Sequence, residues 1–544
     1  MPEKNKHYEI EITDITSDGN GVGSIDGFTV FVPSSAIGDI AEIVIVKVLS
    51  HYAVGRIIKL IKKSEDRTEP DCGVYKRCGG CHLRHITYPS QLKVKKGFIE
   101  AAFRRIGGFT DFCCDEILGM ETPERYRNKC IFPVGKNKQG EIVSGFYARR
   151  SHEIIEVDDC LAGSEVNSEI VSAVKSYMKE NNVSVYDEAK HNGLVRRVFI
   201  RDARVTGEIM VVLSVNGKNI PKRERLIRNL KAVSDKIVSI YININEKRAN
   251  NVLGEENKLI YGKETIEDTL CGITFKISPH SFYQINPYMT EKLYSKALEY
   301  AQITKEDNVL DVYCGIGTIS LSAAKNAKKV TGIEIVEQAV INAKENAKNN
   351  GIENAEFFAD SAENAVPMLI ENGMKPDIVI LDPPRKGSDE ATLSAIVKAE
   401  PKRIVYVSCN EATLARDVKF LSQFGYSPTK CTGVDMFPHT CHVETVVLLS
   451  RKTPDDIIEI DIDLDEFDIT TAESKATYEE IKKYVLDKYS LKVSSLYIAQ
   501  IKSKQGIKEA LNYNLSKKGS RVTKCPKDKE QAITDALIHF KMIE

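Results

Sequence analysis

The sequence predicts an α/β chain of several domains. A doubly wound parallel sheet fills the C-terminal half, preceded by a small β-barrel and a β-rich central region and followed by a small helical extension. Three observations carry this. At about 100–200 residues per domain, 544 residues are too many for one compact core. Over 7–60, apolar and polar residues alternate with period two, broken by Asp18-Gly19-Asn20-Gly21 and Asp26-Gly27, which marks short strands joined by Gly-rich turns. From Tyr288 onward, apolar strands alternate with helical stretches, the pattern of right-handed crossovers between parallel strands.

Each element follows in order. Residues 1–65 form the barrel, of an oligonucleotide-binding type. Residues 66–275 open with a Cys-rich loop at 71–88 and a helix, Gln91–Ile106, then run mainly as sheet. Residues 276–452 carry the alternating helices and strands, 453–473 an acidic linker, and 474–544 three helical runs.

Composition excludes several classes. With 42% hydrophobic and 28% charged residues and a mean hydropathy of −0.26, the chain can bury a core, which argues against wholesale disorder and a membrane bundle. Lys+Arg 76 against Asp+Glu 77 neither supports nor excludes nucleic acid. Thirteen cysteines without dense disulfide spacing favour a reducing compartment, and the N-terminal stretch lacks the apolar core of a signal peptide. A cytoplasmic monomer with no membrane partner is expected.

The segment Asp311-Val312-Tyr313-Cys314-Gly315-Ile316-Gly317-Thr318 follows an apolar strand and opens a helix. Gly315 and Gly317 allow a tight turn whose backbone N–H groups approach a ligand closely. Glu334, ending the next strand, suits two ribose hydroxyls; Asp360 ends the third strand near an adenine edge, and Asp382 ends the fourth. Acids after four successive strands suit S-adenosylmethionine (SAM) better than a dinucleotide, which needs a Gly-rich pyrophosphate cradle.

The acceptor is read from the next two strand ends. After Asp382-Pro383-Pro384 stands Arg385, where amine methyltransferases usually place an aromatic residue. Val407-Ser408-Cys409-Asn410 puts a thiol at the sheet edge, and Met436-Phe437-Pro438-His439-Thr440-Cys441-His442-Val443-Glu444 brings a carboxylate into the last strand. Uracil C5 is a poor nucleophile, but thiolate addition at C6 makes it enolate-like; a base must later remove the C5 proton so that the thiolate can leave. Cys409 is the candidate nucleophile and Glu444 the candidate base. His439, Cys441 and His442 are read as turn and packing residues rather than metal ligands.

These four segments resemble the RNA (uracil-5-)-methyltransferase family, over roughly 8–451. The resemblance implies a Rossmann-like SAM domain, the roles given to Cys409 and Glu444, SAM contacts from Gln284, Tyr313, Glu334 and Asp382, and packing of the 91–107 helix on the catalytic domain. Phe282 and Tyr283 offer stacking surfaces. Cys72, Cys78 and Cys81 can occupy three corners of a cubane, though the spacing also permits zinc. Cys160 matches the family's fourth ligand, so the resemblance favours a [4Fe–4S] cluster. Residues 1–65 resemble the TRAM barrel, and cluster plus TRAM points to the 23S rRNA branch, with tRNA as the alternative substrate. Basic residues at Lys76-Arg77, Lys93, Lys95-Lys96, Arg104-Arg105, Arg125, Arg127, Lys129, Arg149-Arg150, Arg196-Arg197, Arg201 and Arg204, with Tyr75, Tyr126 and Phe146-Tyr147 among them, are expected to bind RNA. The rival reading is a non-catalytic RNA-binding ribosome-assembly factor on an enzyme scaffold.

Overall fold

Six strands occupy the first 62 residues: His7–Glu11, Asp14–Ile15, Asn20–Ile25, Phe28–Pro33, Ile40–Val48 and Ala53–Lys62. Alternation turns Ile10, Val30, Val32, Ile43 and Ile45 inward to a core of their own. This computed structural model describes residues 1–248, 251–451, 478–489, 491–505, 525–540 and 542–543, and its contacts divide the chain into two units, Met1–Asp456 and Ile457–Glu544. Among the described residues no helix is long and apolar enough to cross a membrane.

The expected helix after the Cys-rich loop starts earlier, at Tyr88, with Pro89 in its first turn, and runs to Ala102 before a π-helical turn at Phe103–Gly107. The central region departs further from expectation. Its seven-stranded sheet runs Ile154–Glu156, Ile142–Tyr147, Lys129–Lys136, Val195–Asp202, Ile209–Val215, Ile237–Ile244 and Glu256–Gly262. Two helices that the reading as mainly sheet omits, Val166–Glu180 and Arg223–Val233, contribute to the core on this sheet. The second has a topological cause: Ile209–Val215 and Ile237–Ile244 pair in parallel, and parallel neighbours need a crossover.

The C-terminal half of the first unit contains an eight-stranded sheet. Its order is Ala355–Ala359, Lys329–Glu334, Asn308–Val312, Ile378–Leu381, Arg403–Ser408, Glu444–Arg451, Tyr426–Val434 and Glu116–Leu118. The first five strands are parallel, as a doubly wound sheet requires. Glu444–Arg451 is antiparallel to both its neighbours, a correction to the wholly parallel sheet. Its partner Tyr426–Val434 precedes it by a short loop, and a short loop can join only antiparallel strands. The edge strand Glu116–Leu118 comes from the segment assigned to the central region and pairs in parallel with Tyr426–Val434.

In the second unit, the helices Tyr478–Tyr489, Ser495–Lys504 and Lys527–His539 share a core that includes Ile481, Val485, Ile498, Ile533 and Leu537. The acidic run 455–468, expected as a linker, lies outside the described residues.

Candidate active site

Parallel strands end on one edge of a sheet, and an antiparallel strand begins there. The register pairs Ser408 with Thr445, so the next residues outward, Cys409 and Glu444, come side by side. Both line a cavity of about 700 Å³ that also takes in Gln284, Tyr313, Gly315, Glu334, Asp360 and Asp382. Gly317 alone of the predicted cofactor residues is not part of the lining. At φ +84° it caps the helix Thr318–Ala324, and a Cβ there would meet Phe357 at 3.2 Å and Ala343 at 3.3 Å, so its role is to let helix and sheet pack closely.

The loop over the first strand end is held from two sides. Ile333 O accepts from the N–H groups of Tyr313 and Cys314, both at 2.9 Å. Glu334 Oε2 accepts from Gly315 N–H at 3.1 Å and Oε1 from Val336 N–H at 2.9 Å, which fixes the acid at the cavity wall. Two observations fit a nucleoside beside it: Ile335 and Val336 are 67% and 54% exposed at the wall, and the buried Ser361 hydroxyl has no hydrogen-bond partner. Under the loop, Asp311 accepts a hydrogen bond from Ser320, and burial raises its carboxyl to about 7.

Cys409 and Glu444 are electrostatically opposed to ionising. Burial, and then the Glu444 and Asp382 carboxylates, raise the Cys409 thiol to about 11, against which Arg385 acts. Burial, and then Asp382, raise Glu444 to about 8, again with Arg385 opposing. Arg385, His442 and Phe437 also line the cavity. The sequence flagged Arg385 only as a missing aromatic; its place directly after Asp-Pro-Pro was the signal that it faces the pair.

The structure divides the predicted RNA-contacting residues. Phe282 is 63% exposed in the cavity, whereas Tyr283 is buried with its hydroxyl donating to Asp268. Tyr75 and Tyr126 are corrected from stacking platforms to core: Tyr75 donates to His82 O at 2.7 Å and Tyr126 to Pro438 O at 3.2 Å. Phe146 packs on Phe132. Arg196, Arg197 and Arg201 are buried and donate to the carbonyls of Asn245, Asn251 and Ser281, so they brace loops rather than form a basic face. Lys95 is fully buried against Asp435. Lys76, Lys93, Arg104, Arg105 and Arg150 remain exposed.

Cys72, Cys78, Cys81 and Cys160 all line a second cavity of about 240 Å³. Among the described residues no three His, Cys, Asp or Glu side chains converge as on one metal ion. The cavity is nonetheless roomier than one ion needs, its four predicted donors are all free thiols, and Arg84 counters the burial that raises Cys81. A fifth thiol, Cys130, lines it too, buried and pushed up by that burial. Lys129 lines both cavities, and burial lowers its amine to about 8.

The two cavities are joined by the loop that leads into Glu444. His439 O accepts from the N–H groups of His82 and Leu83, at 2.8 and 2.9 Å, next to Cys81. Gln91 Oε1 accepts from His439 N–H at 3.1 Å, and its Nε2 donates to Ile86 O at 2.7 Å. Lys95 donates to Phe437 O at 3.1 Å, and Tyr88 donates to Asp435 at 2.8 Å. On the barrel side, Gly19 at φ +77° approaches Cys441 so closely that a Cβ would stand 2.7 Å from its sulfur. Barrel, cysteine loop and first helix therefore all grip the segment carrying the carboxylate.

Comparison with known proteins now decides the family. Residues 87–452 match the family described as tRNA (uracil-5-)-methyltransferase, and residues 3–58 match the TRAM domain. The chain belongs to the RNA (uracil-5-)-methyltransferase family. It is 47% identical to an uncharacterized RNA methyltransferase of Clostridium acetobutylicum, over 82% of this chain and 98% of that protein. A relative from Clostridium tetani, also named only as an uncharacterized RNA methyltransferase, is 44% identical over 82% and 97%. Among solved structures, the tRNA (uracil-54, C5)-methyltransferase of Pyrococcus abyssi in complex with S-adenosyl-L-homocysteine is 29% identical, with a TM-score of 0.65 over 81% of this chain and 99% of that one. The fold is accordingly that of a SAM-dependent methyltransferase with an N-terminal TRAM domain, and the family is one of SAM-dependent enzymes acting on RNA.

Proposed function

We propose that this protein methylates C5 of a uridine in 23S rRNA. The observation that carries the reaction is the pairing of Cys409 with Glu444 on adjacent strand ends, in the cavity bounded by the 313–317 loop. Gln284, Tyr313, Gly315, Glu334, Asp360 and Asp382 would hold SAM, whose sulfonium supplies an electrophilic methyl group to C5 when bound. Gly317 supports the loop from behind.

The chain's own residues do the rest. The Cys409 thiol passes its proton to solvent water as its sulfur bonds to C6, sending the C5–C6 π electrons toward C5 and O4. With C5 methylated, Glu444 takes the C5 proton; the C5–C6 double bond re-forms as the C6–S bond breaks and the thiolate leaves. Arg385 favours the charged form of both groups. Burial favours the neutral forms, which keeps a free thiolate scarce until substrate arrives.

Incubation with SAM and substrate RNA containing 5-fluorouridine tests the mechanism, because fluorine cannot be abstracted as a proton. A covalent RNA–protein adduct is expected, and Cys409→Ala should form none. A folded enzyme that methylates normal RNA yet forms no adduct would falsify it. For the substrate, mass mapping of 5-methyluridine in rRNA and tRNA from cells with and without the protein decides. The Pyrococcus neighbour favours tRNA as the second reading; loss confined to tRNA would establish it in place of rRNA.

Cys72, Cys78, Cys81 and Cys160 would hold a [4Fe–4S] cluster, which when bound ties the 72–81 loop to the 160 segment without entering the methyl transfer. About four irons per chain after anaerobic purification are expected; stoichiometric zinc overturns the assignment. The protein is expected to act as a monomer in the cytoplasm.

A further inference from the structure

We infer that the helical C-terminal unit carries a second RNA-contacting surface, built on the exposed lysines Lys483, Lys492 and Lys527. Residues 474–544 contain fifteen Lys and Arg against eight Asp and Glu, a net +7 in a chain whose total is −1.

Packing uses only part of this charge. The unit's core is apolar, formed by residues such as Ile481, Val485, Ile498, Ile501, Ile533 and Leu537. Two of its acids are already committed: Asp535 to Lys488 at 2.8 Å, and Glu530 to Lys504. Lys483, Lys492 and Lys527 are exposed, and no ion pair of theirs is found among the described residues. Tyr489, 40% exposed beside the Lys488 ammonium, adds an aromatic face of the kind on which bases stack.

The unit also lies beyond the part of the chain that the family match covers. The clostridial relatives are matched over 97–98% of their own length by 82% of this chain, and the family match ends at residue 452. A module with its own core, surplus positive charge and a covalent tie to an RNA-modifying enzyme fits a polyanion, and RNA is the one already brought to the chain. Tethering makes its contact intramolecular once the catalytic unit has engaged, so weak contacts suffice. An acidic protein partner would match the same charge but draws no support from the exposed tyrosine.

The test measures binding of a 30-nucleotide poly(U) strand across a salt series without SAM, so that it stands apart from the catalytic proposal. Three proteins are compared: the full chain, the full chain with Lys483→Gln, Lys492→Gln and Lys527→Gln together, and a chain ending at Asp456. Three lost phosphate contacts should make the slope of log K against log salt shallower by about 2 and weaken binding roughly ten- to hundred-fold at 0.1 M salt. The chain ending at Asp456 should show at least this change, which guards against misfolding of the triple variant. Unchanged affinity and slope in both overturns the proposal.

Discussion

At Glu444, the base proposed above, one side chain meets two opposing demands. In that role its carboxyl must be charged to take a proton, yet burial holds it at about 8 against an ordinary 4.5. The folded protein therefore binds this proton more tightly than the unfolded chain does, and the stability it contributes falls as pH rises from 4.5 through 8. Glu444→Gln removes that loss. Its melting temperature should gain on wild type progressively across this interval and level off above pH 8, while turnover disappears. Equal melting curves at pH 5 and 9 would contradict the buried placement. Arg385 acts on both members of the pair, so Arg385→Met should raise both groups and displace the rising limb of the pH–rate profile to more alkaline pH, read in single-turnover methylation. The proposed roles rest on residue types at strand ends, which the sequence shows. Their mutual influence was not, because a thiol and a carboxylate 35 residues apart interact only once the register of Arg403–Ser408 against Glu444–Arg451 is set.

Between elements, the helix Tyr88–Ala102 and the loop 435–443 form a clamp. Lys95 and Asp435 are both fully buried, with Phe437 O and the Tyr88 hydroxyl completing their hydrogen bonds. Lys95→Met leaves Asp435 an uncompensated buried charge, a loss of about 3–5 kcal/mol, and thermal melting should show it. Gln91→Leu keeps the volume but removes the acceptor for His439 N–H. Because the loop leads directly into Glu444, this variant should form the Cys409 adduct normally and release it slowly. The predicted signature is a covalent complex with unmodified RNA that persists on denaturing gels; wild-type release rates would remove the clamp from the reaction. Lys95 illustrates why charge patterns mislead at this scale. A lysine within Lys93-Val94-Lys95-Lys96 looks like part of a basic face, and only its distant partner makes it core. Tyr75 and Tyr126 follow the same logic, since an aromatic ring flanked by Arg packs as readily as it stacks.

Across the whole molecule, the first unit combines four sheets, of six, seven, two and eight strands, and the second stands on its own hydrophobic core. A chain ending at Asp456 should methylate the same uridines as the full chain when RNA is in excess, because the family match is complete by residue 452; mass mapping of the product checks this. A changed set of modified positions would give the second unit a part in site choice.

The barrel, the alternating strands and helices of the C-terminal half, the acids at successive strand ends and the choice of Cys409 and Glu444 as candidates came from the sequence alone, since strand periodicity, turn glycines and reactive side chains are local properties. Only the tertiary structure decided that the last strand runs antiparallel and so delivers Glu444 to the edge where Cys409 ends, that residues 116–118 complete the catalytic sheet, and that many of the basic and aromatic residues expected to face RNA are interior struts. Burial and partner choice depend on contacts between segments far apart in the chain, such as Lys95 with Asp435, 340 residues on, and no local pattern encodes them.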